Sequence, residues 1–347
     1  MDSFTGIHPF LLVIAAAGLD RLVGDPRWCV HPVVVMGWWI ARLRQLAERW
    51  VGDRPVALRL AGGWITLLLV GGSGGCGWLL EQTAQGLPRP LGMALLVIAM
   101  ASALAGRSLE QAVESVLRAL PSGQAADLSA ARQALSWIVG RQTDDLDQAE
   151  ILRAAAETAS ENAVDGLFAP LFWLLLGAVI WTAGWTHAPG PLAWAWAFKA
   201  ASTLDSMLGY RIGRLRWLGT AGAKLDDLLV WLPCRLVALS LPLVKGCGPR
   251  DSWALFSAAQ RDGASDPSPN AGLSQAIYAQ VLQIQLGGVN RYGDQLRAKP
   301  LLAAGCPPPT AATVQAMLQL SLRLELLWLL GGWGAGWVLG PGGGPIQ

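Results

Sequence analysis

The sequence Ala154-Ala-Ala-Glu-Thr-Ala-Ser-Glu-Asn-Ala-Val-Asp-Gly166 runs without a break into Leu-Phe-Ala-Pro-Leu-Phe-Trp-Leu-Leu-Leu-Gly-Ala-Val-Ile-Trp-Thr182, and this junction decides the fold. The second half begins a run from 166 to 198 that contains no Asp, Glu, Lys or Arg. Such a run is long enough for a membrane hairpin, with Gly184, Pro189 and Gly190 near its turn. The first half places Glu157, Glu161 and Asp165 at i, i+4 and i+8, so on a helix their side chains form one acidic stripe. Between them lie mostly Ala, Ser and Thr, small enough for another helix or a ligand to approach the backbone. Three like charges on one face repel unless Arg153, a metal ion or a basic substrate compensates them. The stripe is therefore either a site at a membrane boundary or an ordinary charged cytosolic face.

Four further uncharged runs, 3 to 19, 60 to 80, 90 to 106 and 326 to 347, are near or above the roughly 17 to 25 residues of a membrane-crossing helix. Residues 228 to 244 form a sixth candidate, interrupted by Arg235. The whole chain of 347 residues is 53% hydrophobic and only 14% charged, against about 25% charged in an average soluble domain. The expected fold is all-α, a polytopic integral membrane helix bundle with cytoplasmic helical loops. The first run has no basic n-region and no small-residue cleavage site, so it reads as a retained helix rather than a removed signal. The 18 tryptophans suit interfacial anchoring as well as core packing.

Arginine counts set the expected orientation. The segment from Asp20 to Arg59 carries seven, that from Arg107 to Asp165 five, and the short connection from Glu81 to Arg89 one. The positive-inside rule then places the two larger segments, and the acidic stripe with them, in the cytoplasm. The domain expectation is a single membrane-embedded unit over 1–339, with cytoplasmic loops at about 20–59, 107–165 and 246–325 and a flexible Gly/Pro tail over 340–347. Amphipathic helices are expected over 107 to 120 and 128 to 139, and an ordered Gly/Ser/Pro/Asn loop from Asp262 before a helix around Ile277 to Leu286.

Several function classes drop out. The five cysteines stand apart without a CxxC pair and the three histidines are too few for a histidine-rich site, which argues against zinc or cluster ligation. No P-loop, no Gly-x-Ser-x-Gly elbow and no basic-aromatic alternation for nucleic acid is present. Remaining candidates lie in short polar elements. Asp25 and His31 follow the first apolar run in a Gly24-Asp25-Pro26 turn. Asp205, Asp226 and Asp227 stand in apolar surroundings, where carboxylates are costly unless they hold Mg²⁺ or pair with Lys or Arg. Arg141 either clamps a phosphate or sits at lipid headgroups. Ser268-Pro-Asn-Ala-Gly272 offers hydroxyl, amide and backbone donors suited to a phosphate, or forms a plain turn, and the same holds for Gly287-Gly-Val-Asn-Arg-Tyr292.

Taken in order, these elements resemble the CobD/CbiB family of cobalamin biosynthesis, the adenosylcobinamide-phosphate synthases. The resemblance rests on Asp20-Arg-Leu-Val-Gly-Asp-Pro26 with His31-Pro-Val33, Gly140-Arg141 with Thr143, and Glu157, Glu161-Asn162, Asp165-Gly166 and Ala169-Pro170. It continues through Thr203-Leu-Asp-Ser-Met207 with Gly209-Tyr210, Leu225-Asp-Asp227 with Pro233 and Arg235, Ser268-Pro-Asn-Ala-Gly272, and Leu286-Gly-Gly288 with Tyr292. It covers about Asp20 to Tyr292. Gln142, Ser202, Lys224, Val230 and Asp266 depart from the family pattern, at positions where Asp, Asn, Arg, Asn and His are expected.

The resemblance implies an ATP-dependent ligase that joins the propionate carboxylate of adenosylcobyric acid to the amine of aminopropanol or its phosphate. It implies Mg²⁺ and ATP, with Asp205, Asp226 and Asp227 at the metal and Glu157 or Glu161, in the stripe with Asp165, as general base. Arg141 and Arg235 would bind phosphate oxygens, with Asn162, Ser268 and Asn270 orienting amide or phosphate groups. Asp25, His31 and Tyr292 complete the implied substrate-binding set. Expected surroundings are the bacterial inner membrane, with other membrane enzymes of late cobalamin synthesis as partners. Two rival readings are a membrane Mg²⁺-dependent phospho- or prenyltransferase and a non-catalytic corrinoid transporter or scaffold. The first needs acidic signatures that Asp165-Gly166 and Asp226-Asp227 do not complete, and the second calls for inverted repeats that the hydropathy does not show.

Overall fold

The computed structural model describes residues 8–26, 30–121, 127–292 and 295–339, with the side chains of 292, 295–297 and 339 outside that description. Cys29 and the expected flexible tail over 340–347 lie outside the described residues. Helices dominate, as the composition predicts. In chain order they are α1 (Pro9–Val23), α2 (Pro32–Val51), α3 (Pro55–Gly86), α4 (Arg89–Ala101), α5 (Gly106–Ala119), α6 (Ser129–Ser136) and α7 (Gln148–Ala163). A π-helical turn over Val164–Phe168 leads into α8 (Ala169–Thr182), followed by α9 (Pro191–Leu208), α10 (Leu215–Leu218), α11 (Thr220–Val244), α12 (Pro249–Gly263) and α13 (Ala271–Leu282). An antiparallel hairpin, β1 (Leu286–Tyr292) and β2 (Gln295–Leu302), precedes α14 (Ala311–Leu339). The segment Gly287–Tyr292, read from the sequence as either a phosphate-binding loop or a plain turn, is thus a strand.

Local chemistry explains many of these boundaries. Pro9, Pro32, Pro55 and Pro191 each stand at the start of a helix, where a missing N–H costs nothing. Asp147 and Glu150 form a reciprocal capping box at the start of α7. Pro170 has no N–H for the carbonyl four residues back, and the helix widens into its π turn just before that proline. The apolar hairpin reads as expected: α8 and α9 are joined across residues 183–190, with Gly184 at φ +91°.

Among the described residues three stretches, Pro55–Gly86, Gln148–Thr182 and Thr220–Val244, are long and apolar enough to cross a membrane, and α4 with α5 makes a fourth if that bent pair is one span. The candidate interrupted by Arg235 is therefore one continuous helix of 25 residues, about 37 Å at 1.5 Å per residue. Only 28% of the most apolar part of α3 is buried by protein, and Leu60, Trp64, Leu67 and Leu68 on it are exposed. So broad an apolar face suits hydrocarbon rather than water.

The chain divides into two compact units, each assembled from separate segments. The first comprises residues 1–105, 169–229 and 328–347. Its spine is the pairing of α3 with α9. A Cβ on Gly77 would stand 2.8 Å from Ala193 Cα, and one on Gly74 3.2 Å from Ala197 Cβ, so glycine lets the two backbones close up. Below α10, Ile40, Leu58, Ile65, Leu69, Leu204, Leu208 and Leu218 form a buried cluster.

Glu81, which the charge pattern places at the edge of a connecting loop, instead lies inside α3 and is fully buried. Its carboxylate accepts hydrogen bonds from the N–H groups of Gly190 (2.8 Å), Leu192 (2.7 Å) and Ala193 (3.2 Å), capping α9 from a neighbouring helix. Replacing Glu81 by Ala strands those donors and is expected to cost about 1 to 3 kcal/mol. A thermal unfolding midpoint in detergent that does not fall in the variant would refute this capping role.

The second unit comprises residues 106–168 and 230–327. Helices α5 and α6 pack on each other and on α7, and α13 packs on α7, α12 and the hairpin. Val113, Val116, Leu135 and Ile151 are fully buried there, matching the amphipathic stripes of the sequence.

Candidate active site

In the second unit, α7 presents Glu157, Thr158, Glu161 and Asn162 to a cavity of about 260 Å³. Ala154–Ala156, Ala159 and Ala163 bury the rest of the helix, so the polar residues project from a face held closely by its neighbours. The cavity wall is completed by Ile138–Arg141 after α6, Gln275 of α13, Asn290 of β1 and Lys299 of β2. Its volume lies just below the roughly 300 to 1,000 Å³ of pockets that engulf drug-sized ligands. It suits one small polar molecule or the end of a larger one.

Two carboxylates one helical turn apart have different surroundings. Both oxygens of Glu157 already serve cations: Arg141 Nη1 lies 3.2 Å from Oε2 and Arg153 Nη1 3.2 Å from Oε1. Oε1 also accepts a hydrogen bond from Gly287 N–H at 3.1 Å. Arg141 and Arg153 both donate to Asn290 Oδ1. Arg153 reaches the backbone of β1 as well, at Gly287 O (2.6 Å) and Val289 O (3.1 Å). Glu157 is thus the centre of a buried network that ties α7 to the hairpin. Glu161 accepts a hydrogen bond from Gln275 Nε2 at 2.6 Å, and the Lys299 ammonium and the Asp266 carboxylate act on it electrostatically.

The acidic stripe divides accordingly. Glu157 and Glu161 line the cavity, whereas Asp165, in the π turn, is not part of its wall. A π turn takes more residues per turn than an α-helix, which shifts the side chains within it off the 3.6-residue register. Arg153, the compensating cation the sequence offered, takes that part, and Arg141 joins it.

Arg235, Ser268 and Asn270 form a separate constellation within the same unit. Arg235 donates to Asn270 Oδ1 (2.8 Å) and Pro269 O (3.2 Å) while its guanidinium lies 4.4 Å from the Trp231 ring centre. Ser268 Oγ accepts from the N–H groups of Asn270 (3.4 Å) and Ala271 (3.3 Å), and Asp266 Oδ1 accepts from Ser268 N–H (2.9 Å). The Ser-Pro-Asn segment is therefore held as an ordered turn at the head of α13. Tyr292 ends β1, and its side chain lies outside the described residues.

In the first unit, Asp25 pairs with His31 at 3.2 Å, and His31 Nδ1 accepts from Val33 N–H to cap α2. Asp205 on α9 and Asp226 and Asp227 on α11 interact electrostatically, with Lys199 also acting on Asp226. No group of three His, Cys, Asp or Glu side chains among the described residues converges as a metal cage. Asp226 and Asp227 are successive helical residues and point about 100° apart. Asp226 Oδ1 is nonetheless buried without a hydrogen-bond partner among the described residues. One such oxygen fits Mg²⁺ shared with phosphate oxygens, which takes one or two carboxylates, rather than an all-protein site.

Sequence reasoning did not single out Gln275 or Lys299, and it reached Asn290 only as part of the Gly287–Tyr292 segment. A usable signal for Asn290 existed: Gly287 and Gly288 at φ +84° and +99° start a strand in which Val289 is exposed and Asn290 buried. Lys299 and Gln275 have no local motif, and only the pairing of distant segments brings them to the cavity.

A family model described as CobD/Cbib protein matches residues 13–321 of the chain. The cobalamin biosynthesis protein CobD of Synechocystis sp. is 43% identical over 327 residues, covering 93% of this chain and 91% of that protein. CobD of Pelobacter propionicus is 39% identical over 297 residues, with 85% and 86% covered. The cobalamin biosynthesis protein CbiB of Salmonella typhimurium is 39% identical over 283 residues, with 81% and 83% covered. No solved structure matches the chain.

Proposed function

Since the chain belongs to the CobD/CbiB family of cobalamin biosynthesis proteins, we propose that it forms an amide bond between adenosylcobyric acid and aminopropanol or aminopropanol phosphate at the expense of ATP. The observation that carries this reading is the small cavity holding a carboxylate, Glu161, beside the cations Arg141 and Lys299. An amino alcohol phosphate carries the complementary charges, an ammonium at one end and a phosphate at the other. A cavity of about 260 Å³ admits that molecule and the reacting tip of a propionate arm, with the corrinoid ring outside.

A carboxylate and an ammonium ion do not condense at neutral pH, so the acid must be activated and the amine deprotonated. Transfer of the terminal phosphoryl group of ATP to the propionate gives an acyl phosphate and ADP. The neutral amine attacks the acyl carbon, the C–O bond to phosphate breaks, and the nitrogen gives up one proton that ends on the departing phosphate, so the products are the amide and hydrogen phosphate. Glu161 takes that proton from the amine nitrogen. Glu157 holds Arg141 and Arg153 in place, and Asn162, Asn290 and Gln275 offer amide donors and acceptors to the bound groups. Mg²⁺ would neutralise the ATP phosphates, with Asp226 and its neighbours Asp205 and Asp227 the carboxylates to hold it. The setting is the bacterial inner membrane, with the Arg-rich segments and the reaction on the cytoplasmic side.

The test is conversion of adenosylcobyric acid by the detergent-purified protein with ATP and Mg²⁺, each amine offered separately and products resolved by mass spectrometry. An amide product from either amine supports the ligase; a folded protein that binds corrinoid and gives none overturns it. Lys299→Met distinguishes the amines further. Loss of a charge-assisted contact is worth roughly 1.5 to 3 kcal/mol, so KM for the phosphorylated amine is expected to rise on the order of tenfold or more, with KM for free aminopropanol little changed. Equal effects on both would remove Lys299 from the phosphate end.

A further inference from the structure

We propose that a second cavity, contained in the first unit, binds a phosphomonoester or diphosphate group through Arg59, Arg211, Arg216 and Lys224. This site goes beyond the ligase reading, which gives these four cations no role, although Asp227 in its wall also stands in the carboxylate set proposed above to hold Mg²⁺. The cavity measures about 400 Å³, and its wall includes those four cations with Tyr210, Thr220 and a single acid, Asp227. Among the described residues none of the four makes an ion pair with a carboxylate, whereas nearby Arg214 is matched by Asp53 at 2.5 Å. An excess of three positive charges around one cavity repels itself, and an anion with at least two charges relieves that repulsion.

The cavity is built rather than incidental. Arg59 and Arg216 both lie against the ring of Trp217, with guanidinium carbons 4.4 and 4.9 Å from its centre. The stacking restricts both side chains before any ligand arrives, which lowers the entropy lost on binding. Planar guanidinium forks match phosphate oxygens, and Lys224 adds a point charge. The floor is set by glycine: a Cβ on Gly219 would collide with Leu208 O, and one on Gly209 with the Asp205 carboxylate. Chain segments around α10 can cross this closely only without side chains there, and the crossing holds Tyr210–Arg216 over the buried leucine cluster beneath α10.

The same phosphate chemistry could come from a soluble molecule or from a lipid headgroup, since the exposed Ile212, Trp64 and Leu60 of this unit suit hydrocarbon. Two ligands separate the sources. Full-length protein in phosphatidylcholine nanodiscs is titrated with pyrophosphate by calorimetry, and a second preparation doped with phosphatidic acid is examined for retained lipid by native mass spectrometry. The comparison is with the double variant Arg211→Ala, Lys224→Ala, whose melting temperature is checked first. Pyrophosphate binding that weakens at least tenfold in the variant establishes the site with a soluble ligand. Retention of phosphatidic acid by the wild type and its loss in the variant establishes the site with a lipid. The proposal is overturned if neither ligand is bound, or if both proteins bind them equally. Should the double variant fail to fold, Lys224→Gln alone is carried through the same two measurements. Weaker binding of either ligand then supports the site, and unchanged binding of both overturns it.

Discussion

Glu161→Gln is expected to lower the rate of amide formation by roughly 100- to 10,000-fold, the range that a positioned general base supplies. The substitution keeps volume and shape, and the amide oxygen of the new side chain still accepts the Gln275 hydrogen bond, now 2.6 Å long. What it removes is the ability to take a proton. Single-turnover mixing of enzyme, ATP and adenosylcobyric acid with the amine isolates that step from product release. The variant should still consume ATP to form the activated acid, because activation does not need the amine deprotonated. It should then stall, and its amide-forming rate should rise with pH as more free amine is present in solution. A variant within about threefold of the wild type at neutral pH would move the base away from Glu161. The assignment favours Glu161 over Glu157 on geometry: each oxygen of Glu157 already meets a guanidinium at 3.2 Å.

That division of labour between two carboxylates on one helix was half legible in the sequence. Spacing by four residues put Glu157 and Glu161 on one face, and the nearby Arg153 was the obvious counter-charge, because both facts are local to a helix. Uncharged runs predicted the helices for the same reason: length and polarity are properties of a segment by itself. The hairpin over Leu286–Leu302 was not legible as strands, since Gly-Gly followed by a few alternating residues reads as a loop or turn until β2 is there to pair with β1. Lys299 reaches the cavity only through that pairing, and Gln275 through the packing of α13 on α7. Glu81 was misplaced because a buried carboxylate looks like a loop charge until the three N–H groups it caps, over a hundred residues away, are known. The departures from the family pattern at Gln142 and Asp266 now have surroundings: Gln142 N–H bonds Arg291 O at 3.2 Å, and Asp266 holds the Ser268 turn.

Glu157→Ala is the stability counterpart, with an expected loss of about 3 to 5 kcal/mol, the usual cost of removing one partner from a buried ion pair. Its side chain and that of Arg141 are 7% and 5% exposed, so water cannot replace the lost carboxylate. The change leaves two guanidiniums facing one Asn290 oxygen and withdraws the acceptor of Gly287 N–H, loosening the hairpin at the point where it meets α7. Against a total stability of about 5 to 15 kcal/mol, such a loss is expected to lower the melting temperature in detergent by roughly 4 to 7 °C for a chain of 347 residues. Hydrogen exchange should report where it goes, with protection falling first at Leu286–Asn290. The effect is distinguishable from simple loss of packing by a double-mutant cycle. Glu157→Leu with Arg141→Met replaces the ion pair by apolar groups of similar size and should recover much of the loss, because the cost lies in the uncompensated charge. If the double variant is as unstable as the sum of its single variants, Glu157 contributes volume rather than charge. Its place at the centre of the network would then have to pass to Arg153, which reaches Gly287 O and Val289 O.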